Sequence, residues 1–458
     1  MSAAPGRRPA RNAETSRRAA PARAVAAQVL ERVEVDAAFA DLALAAALAR
    51  RPLPVRDAAL ATELVYGTLR WQRYLDWILA PHSRRRLPTL DPRVRVLLRM
   101  TAYQIAFLER IPAFAAVNDA VTLARGAPGV AEYVNAVLRA FGRRGVAERE
   151  PAPPRDPVDA LATRCSFPTW LVARWVARYG EAEAETLMRA LNGRAPLTVR
   201  ANTLRASRDD LAARLGDEGV TTRPTPLAPE GLVVEGGGDP GRWRAFVEGA
   251  CVVQDEASML VARLLEPGPG TTIADVCAAP GTKTTHLAQL MDNRGRVLAF
   301  DPQPGRLARV DEAAARLGVT IAETVEGAVE ALASRWPGGC DGVLVDAPCS
   351  NLGVLRRNPE VKWRRQPADV SAAGERQRSI LAAAAGLVRP GGRLVYATCS
   401  LEPEENDEVA RAFLADRPEF AVDPPAASPV APDAAGFVRC LPHRHDTDGF
   451  TAIRFRRG

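Results

Sequence analysis

Lysine is almost missing from this chain: of 61 basic side chains only Lys283 and Lys362 are not arginine. Histidine is scarce too, at four residues, so arginine carries the net charge of +7, and the expected partner is a polyanion or an anionic ligand. No stretch of about eighteen apolar residues occurs, which excludes a membrane-spanning helix. The seven cysteines lack paired spacing, which excludes a disulfide scaffold and fits a soluble protein of the reducing cytoplasm. Cys440-Leu-Pro-His443-Arg-His445 offers three metal-ligand types, but no second ligand pair accompanies it, and no metal is expected. A Walker loop needs glycine directly before the lysine and another five residues earlier, where this chain has Thr282 and Cys277. No G-x-G-x-x-G follows a strand either. Nucleoside triphosphates and dinucleotides are therefore disfavoured.

What is present centres on Val343-Leu-Val-Asp346-Ala-Pro-Cys349-Ser350. The apolar run reads as a strand buried on both faces, and Pro348 cannot continue its ladder, so Asp346 and Cys349 fall at the strand's carboxyl end. In open α/β sheets ligands bind at that end. Gly392-Arg-Leu-Val-Tyr-Ala-Thr398-Cys399-Ser400 repeats the arrangement. A single free cysteine after a strand is usually packing. Two of them, each beside a hydroxyl at a strand terminus, favour one shared pocket.

The rest of the chain divides around this part. Residues 1–20 hold five arginines and one acid without an apolar segment, and read as a disordered basic tail. Residues 21–148 are helical throughout: Ala26, Val29, Leu30 and Val33 keep helical spacing, as do Leu60, Leu64, Val65 and Leu69, then Val94, Leu97, Leu98, Ala102 and Ile105. Prolines 52, 54, 81, 88, 92 and 112 punctuate these helices. Arg84-Arg-Arg86 and Arg143-Arg144 read either as solvated faces or as contacts to a phosphate backbone. Residues 149–160 form a proline-rich linker. Residues 161–247 read as a small α/β subdomain, in which Arg200 and Asn202 share one face of a strand. Residues 248–458 hold the catalytic-looking part.

Within that part, Thr271 to Cys277 reads as a strand, and Ala278-Ala-Pro280-Gly281-Thr-Lys283 turns into a helix N-terminus, where backbone N–H groups can hold an anionic group. The next strand ends in Asp301, placed to accept hydrogen bonds from ribose hydroxyls or to cap the following helix. A ribose without pyrophosphate points to S-adenosylmethionine. Both lysines sit in loops after these strands, where a compact ammonium is required in place of a guanidinium. Arg356, Arg357, Lys362 and Trp363, on the loop after Cys349, would supply phosphate contacts and one stacking surface to a single strand.

Asp275-Val-Cys-Ala-Ala-Pro-Gly-Thr-Lys283-Thr, Asp346-Ala-Pro-Cys349-Ser, Arg357-Asn-Pro-Glu-Val-Lys362-Trp363 and Ala397-Thr-Cys399-Ser-Leu-Glu-Pro-Glu-Glu405-Asn406 closely resemble the RNA cytosine-C5 methyltransferases. Ala59 to Arg70 and Val134 to Arg139 look like the NusB-type RNA-binding domain. The resemblance covers nearly everything from residue 22 onward. It implies an α/β class I S-adenosylmethionine-dependent methyltransferase fold, Rossmann-like with a seven-stranded sheet, behind an all-α NusB-like domain and an RRM-like subdomain. It also implies S-adenosylmethionine as cofactor, a cytosine of small-subunit 16S rRNA as acceptor, and a monomer. The alternatives are C5-methylation of a tRNA and a non-catalytic NusB-like RNA-binding factor. By position, Cys277, Ala278, Ala279, Pro280, Gly281, Thr282, Lys283, Asp301 and Asp346 match the family's cofactor residues. Cys399 matches its nucleophile and Cys349 the cysteine that releases product; Asp346, hydrogen-bonded or protonated at the cytosine N3 side, would stabilise the charge of a Cys399–C6 adduct. One departure stands out: the family often has Gly-Asp after the third strand, and here Gly327 is followed by Ala328.

Overall fold

Apolar residues at helical spacing, cut by prolines, produce a stack of helices over Pro21–Val35, Ala40–Arg50, Val55–Arg70, Gln72–Leu79, Pro92–Phe107, Ala113–Leu123 and Val130–Gly142. The computed structural model describes residues 21–126, 128–143 and 150–458; the expected basic tail and Arg144 lie outside them. Of the spaced apolar positions, Leu60 and Ile105 are half-buried and all the others are buried in one core. Pro92 opens its helix behind an Asp91 cap, whose carboxylate accepts the Arg93 N–H at 2.9 Å. Gly67 lets two helices close up, since a Cβ there would lie 2.0 Å from the Tyr103 ring.

The chain forms two units: residues 1–185 with 358–363, and the remainder. The helix expected from Pro168 in the small α/β subdomain, Thr169–Tyr179, belongs to the helical unit, as does Pro157–Arg164, which begins inside the expected linker. Arg73 is the reason. Its guanidinium donates to Asp159 Oδ1 (2.6 Å), Thr163 Oγ1 (3.1 Å), Phe167 O (2.9 Å) and Thr169 Oγ1 (2.8 Å), and no apolar periodicity announces such a bond set.

Residues 358–363 also belong to the helical unit, and there they serve helix ends. Glu360 Oε1 accepts the Ala40 N–H (2.9 Å), at a helix start whose own cap residue, Phe39, makes no side-chain cap bond. Lys362 Nζ donates to Arg70 O (2.8 Å) and Trp363 Nε1 to Leu69 O (2.7 Å), both at the end of helix Val55–Arg70. A cation at a helix C-terminus also complements the dipole.

The second unit contains two sheets. The smaller has β1 (Leu197–Ala201), β2 (Thr222–Pro224), β3 (Gly231–Val234) and β4 (Cys251–Val253), all antiparallel in the order β2-β3-β1-β4. β4, expected at the head of the catalytic part, is thus an edge strand of the subdomain. Arg200 and Asn202 do share a face, and both are fully buried. Arg200 donates to Gln289 Oε1 (2.9 Å) and Thr282 O (2.9 Å), and Asn202 Nδ2 to Gly249 O and Leu317 O (2.8 Å each), fastening the small sheet to helices Thr282–Leu290 and Pro304–Leu317.

The large sheet comprises β5 (Thr272–Asp275), β6 (Arg296–Asp301), β7 (Ala322–Glu326), β8 (Cys340–Asp346), β9 (Val388–Thr398), β10 (Phe420–Val422), β11 (Phe437–Cys440) and β12 (Phe450–Arg457). Seven strands run in the order β10-β12-β9-β8-β5-β6-β7, and β11 pairs with β12 as an eighth. β5 to β9 pair in parallel, and β12 is antiparallel to β9. This is the Rossmann-like methyltransferase fold expected, with helices covering both faces as parallel sheets require. No helix among the described residues is long and apolar enough to cross a membrane.

Candidate active site

Strand order reverses at β5, which lies between β6 and β8, so a crevice opens beyond the carboxyl ends of these strands. Register places Asp275 beside Leu344 and Asp346 beside Ala397, which brings the loops after β5, β8 and β9 together. All three carry expected site residues.

The loop after β5 runs from Val276 into helix Thr282–Leu290. Gly281 caps that helix at φ +97°, and a Cβ there would stand 3.0 Å from Val310 Cα, so glycine alone permits this turn. Cys277 is half-buried, Ala278 and Ala279 are buried, Pro280 is exposed and Thr282 is half-buried. Asp301, 2 % exposed, accepts the Gln303 N–H with one oxygen (3.0 Å). Its other oxygen lies 3.5 Å from Arg306 Nη1, while Arg306 Nη2 donates to Ala279 O (3.1 Å). Arg306, absent from the expected set, thus ties the loop after β5 to the end of β6. Asp275 is fully buried; Oδ2 accepts from Thr284 Oγ1 (2.8 Å), and Oδ1 has no partner among the described residues. Burial pushes its carboxyl up to about 7, and the Asp346 charge adds to this. A small-residue loop at a helix N-terminus, an acid at the next strand end and an unpartnered buried carboxyl oxygen fit S-adenosylmethionine. Where the family often has an acid, Ala328 heads the short helix Val329–Leu332 without a side-chain cap.

Beyond β8, Lys283 Nζ donates to Asp346 Oδ2 at 2.5 Å. Cys349 Sγ lies 3.0 Å from Cys399 Sγ, so the two strand ends do bring both thiols into one place. Both are half-buried, as is Cys277, whereas Cys165, Cys251, Cys340 and Cys440 are buried. The bond with Cys349 and then burial raise the Cys399 pKa well above the ordinary thiol range. The Asp346 charge acts in the same direction and the Lys283 ammonium against it. Cys399 rests as a neutral thiol.

Sequence reading missed the residues that hold the thiols. Glu405, fully buried, accepts Ser350 N–H (2.7 Å), Ser350 Oγ–H (2.5 Å), Ser400 Oγ–H and Gln377 Nε2 (3.1 Å). One carboxylate therefore joins the residue after each cysteine. Gly353 N–H donates to Cys399 O (2.9 Å), and the Cys399 thiol donates to Asn351 Oδ1 (3.0 Å). The Cys-Ser dipeptide, found after both strands with Glu405 five residues beyond the second, is the only signal that pointed this way.

The four side chains expected to hold RNA are engaged inside the protein. Lys362 is 1 % exposed, with Nζ 3.9 Å from the centre of the Phe167 ring; a phosphate cannot reach it. Trp363 is half-buried with its N–H spent on Leu69 O. Arg356, buried, donates to Asp446 Oδ1 (2.8 Å) and Arg194 O (2.9 Å). Arg357 bonds Asp448 and Asp255 Oδ2, the latter at 3.0 Å. In the segment considered for metal, Cys440 is buried in β11 and His445 Nδ1 accepts the Leu441 N–H (2.9 Å).

Comparison with known proteins gives three family matches: "16S rRNA methyltransferase RsmB/F" over residues 262–456, "NusB family" over 20–143, and "Methyltr_RsmF/B-like, ferredoxin-like domain" over 167–239. A probable ribosomal RNA small subunit methyltransferase B of Bacillus subtilis is 39 % identical, across 95 % of this chain and 98 % of its own. The crystal structure of PH0851 superposes with a TM-score of 0.83 at 30 % identity, covering 96 % of this chain and 99 % of that one. The structure of NSun6 from Pyrococcus horikoshii with SFG gives 0.58 at 26 % identity, over 64 % and 98 %.

Proposed function

We infer that this chain, which belongs to the 16S rRNA methyltransferase RsmB/F family and so methylates ribosomal RNA, places the methyl group of S-adenosylmethionine on C5 of a cytosine in 16S rRNA. The observation that carries this reading is the pair of thiols 3.0 Å apart beside the Lys283–Asp346 ion pair. Hydrolytic or simple nucleophilic-substitution chemistry needs one nucleophile. Two sulfurs at one point suit a reaction in which a covalent bond is first made and later expelled.

Cytosine C5 is a poor nucleophile until a sulfur adds at C6 and makes the ring enamine-like. The Cys399 thiol gives its proton to solvent, its sulfur pair forms the bond to C6, and the C5=C6 pair moves onto C5. Asp346 acts on the N3 side of the ring as the acid, passing a proton to N3 as the adduct forms and taking it back when the sulfur leaves, while the Lys283 ammonium beside it offsets the negative charge. When bound, S-adenosylmethionine supplies an electrophilic methyl group; the loop from Cys277 to Lys283 and the Asp301 carboxylate are the residues that hold it. After methylation C5 still carries a hydrogen. Cys349 assists loss of that proton, the C–H pair re-forms C5=C6, and the C6–S pair returns to Cys399. The target base enters unstacked, at a cost of roughly a few kcal/mol.

Separating the thiols tests this. Cys399→Ala should form no RNA adduct and no 5-methylcytosine, because the first bond is never made. Cys349→Ala should accumulate RNA joined to the protein through Cys399, seen as a nuclease-sensitive species of higher mass on a denaturing gel. The reverse pattern would assign the nucleophile to Cys349 and overturn the mechanism.

A further inference from the structure

Asn351 stands at φ +63°, a left-handed conformation that most residues with a side chain avoid and that glycine adopts freely. From this position its side chain reaches both reacting sulfurs: Oδ1 accepts from Cys399 Sγ at 3.0 Å and from Cys349 Sγ at 3.5 Å. Among the described residues, Asn351 is the one side chain hydrogen-bonded to these thiols that carries donors and acceptors on one rotatable group.

We propose that Asn351 is a catalytic residue of this methyltransferase, whose side-chain amide accepts the Cys399 S–H in the resting site and turns over to donate N–H to the Cys399 thiolate. The inference rests on the reading of Cys399 as nucleophile. The resting state holds the proton on Cys399, with the amide oxygen as one acceptor for it. Once that proton has gone to solvent, a carbonyl oxygen facing a thiolate is repulsive. A half-turn about the Asn351 Cβ–Cγ bond replaces the oxygen with an NH2 group, which has two donors and so can serve the sulfurs of Cys399 and Cys349 together. No bond to Asn351 is made or broken, and no charge is left on it. The amide acts twice, because sulfur leaves C6 as the same thiolate that entered. The backbone supports this exchange: Ser350 on one side is bound by Glu405 through both N–H and Oγ–H, and Gly353 N–H is bound to Cys399 O at 2.9 Å. Asn351 therefore keeps its place while its side chain rotates.

Two substitutions keep the backbone conformation and change only the amide. Asn351→Gly deletes it, and Asn351→Asp retains its shape as an acceptor that cannot donate. In the full-length protein, the rate of Cys399 alkylation by iodoacetamide, followed by peptide mass mapping from pH 6 to pH 10, reads the thiolate directly. Both variants should shift this profile to higher pH, the Asp variant further, with alkylation at pH 7.5 slower by about tenfold or more, the fraction lost when a thiol pKa rises by one. Single-turnover adduct formation with 16S rRNA in a Cys349→Ala background should slow by a similar factor, with the RNA concentration for half-maximal rate unchanged. An unmoved profile in the Asp variant, or a shift to lower pH in the Gly variant, overturns the proposal. A profile of Cys399 that moves as expected while Cys399→Ala still forms adduct would instead reject Cys399 as nucleophile, so the two failures are distinct.

Discussion

Asp275 illustrates how a single buried carboxyl links the site to pH. Its pKa in the folded protein is about 7, against an ordinary value near 3.8, and burial is the main cause. Below about pH 4 it is protonated folded and unfolded alike, and contributes no pH dependence. Between about 4 and 7 the unfolded chain ionises while the folded one keeps its proton, so stability falls as pH rises, by up to ~1.4 kcal/mol per pH unit, and then levels off. Asn at this position still accepts from Thr284 Oγ1 and cannot ionise. Asp275→Asn should therefore stand further above the parent in urea denaturation at pH 8 than at pH 4.5; an equal difference at both would remove the carboxyl from this account. Asp301 makes a second residue-scale case. Its oxygens hold one backbone N–H and lie near one guanidinium, and a ribose would add a charge-assisted bond. Asp301→Ala should weaken S-adenosylmethionine binding by about 1–3 kcal/mol by calorimetry, and an unchanged affinity in a folded variant takes Asp301 out of the site.

At the scale of elements, the distance between the thiols is set by the loops after β8 and β9, which touch backbone to backbone. A Cβ on Gly353 would lie 2.2 Å from Gly449 O and 2.8 Å from Cys399 O. Neither oxygen is at the end of a flexible side chain, so the loops must part. Gly353→Ala should cost about 1–3 kcal/mol of stability, as overpacking does, and slow adduct formation at temperatures where the protein is still folded. Adduct formation at the parental rate would show that the thiols are positioned by Glu405 alone. Glu405 supplies the other tie, four hydrogen bonds that replace the water a buried carboxylate gives up.

For the whole molecule, a net charge of +7 carried almost entirely by arginine matches an RNA substrate. The arginines of the loop after Cys349 are committed internally, so the exposed Arg84, Arg85 and Arg86 of the helical unit are the better candidates for phosphate contacts. Replacing the three by alanine in the full-length chain should flatten the dependence of log affinity for 16S rRNA on log salt by about 2, from a slope of ~0.7 per phosphate contact. S-adenosylmethionine binding should stay at the parental level. An unchanged slope would leave RNA binding to other surfaces.

Local chemistry was enough for much of this. Apolar spacing and proline placement specify the helices, because both act within one or two turns. Short Val/Leu runs ended by Asp-Ala-Pro-Cys and Thr-Cys-Ser specify β8, β9 and the thiols at their ends. The scarcity of lysine marked Lys283 and Lys362 as positions where guanidinium does not serve, and both are buried, Lys283 against Asp346 and Lys362 against Arg70 O and the Phe167 ring. The sequence could not say that Lys362 faces a helix end and not a phosphate, since the Arg70 carbonyl that it meets lies 292 residues away in the chain. The same holds for β4, which pairs with β1, for the helices gathered by Arg73, and for Glu405 between two serines. Periodicity reports how a segment meets its immediate neighbours along the chain. Which carbonyl, ring or carboxylate a polar side chain finally meets is settled only when distant segments pack and each buried donor must find an acceptor.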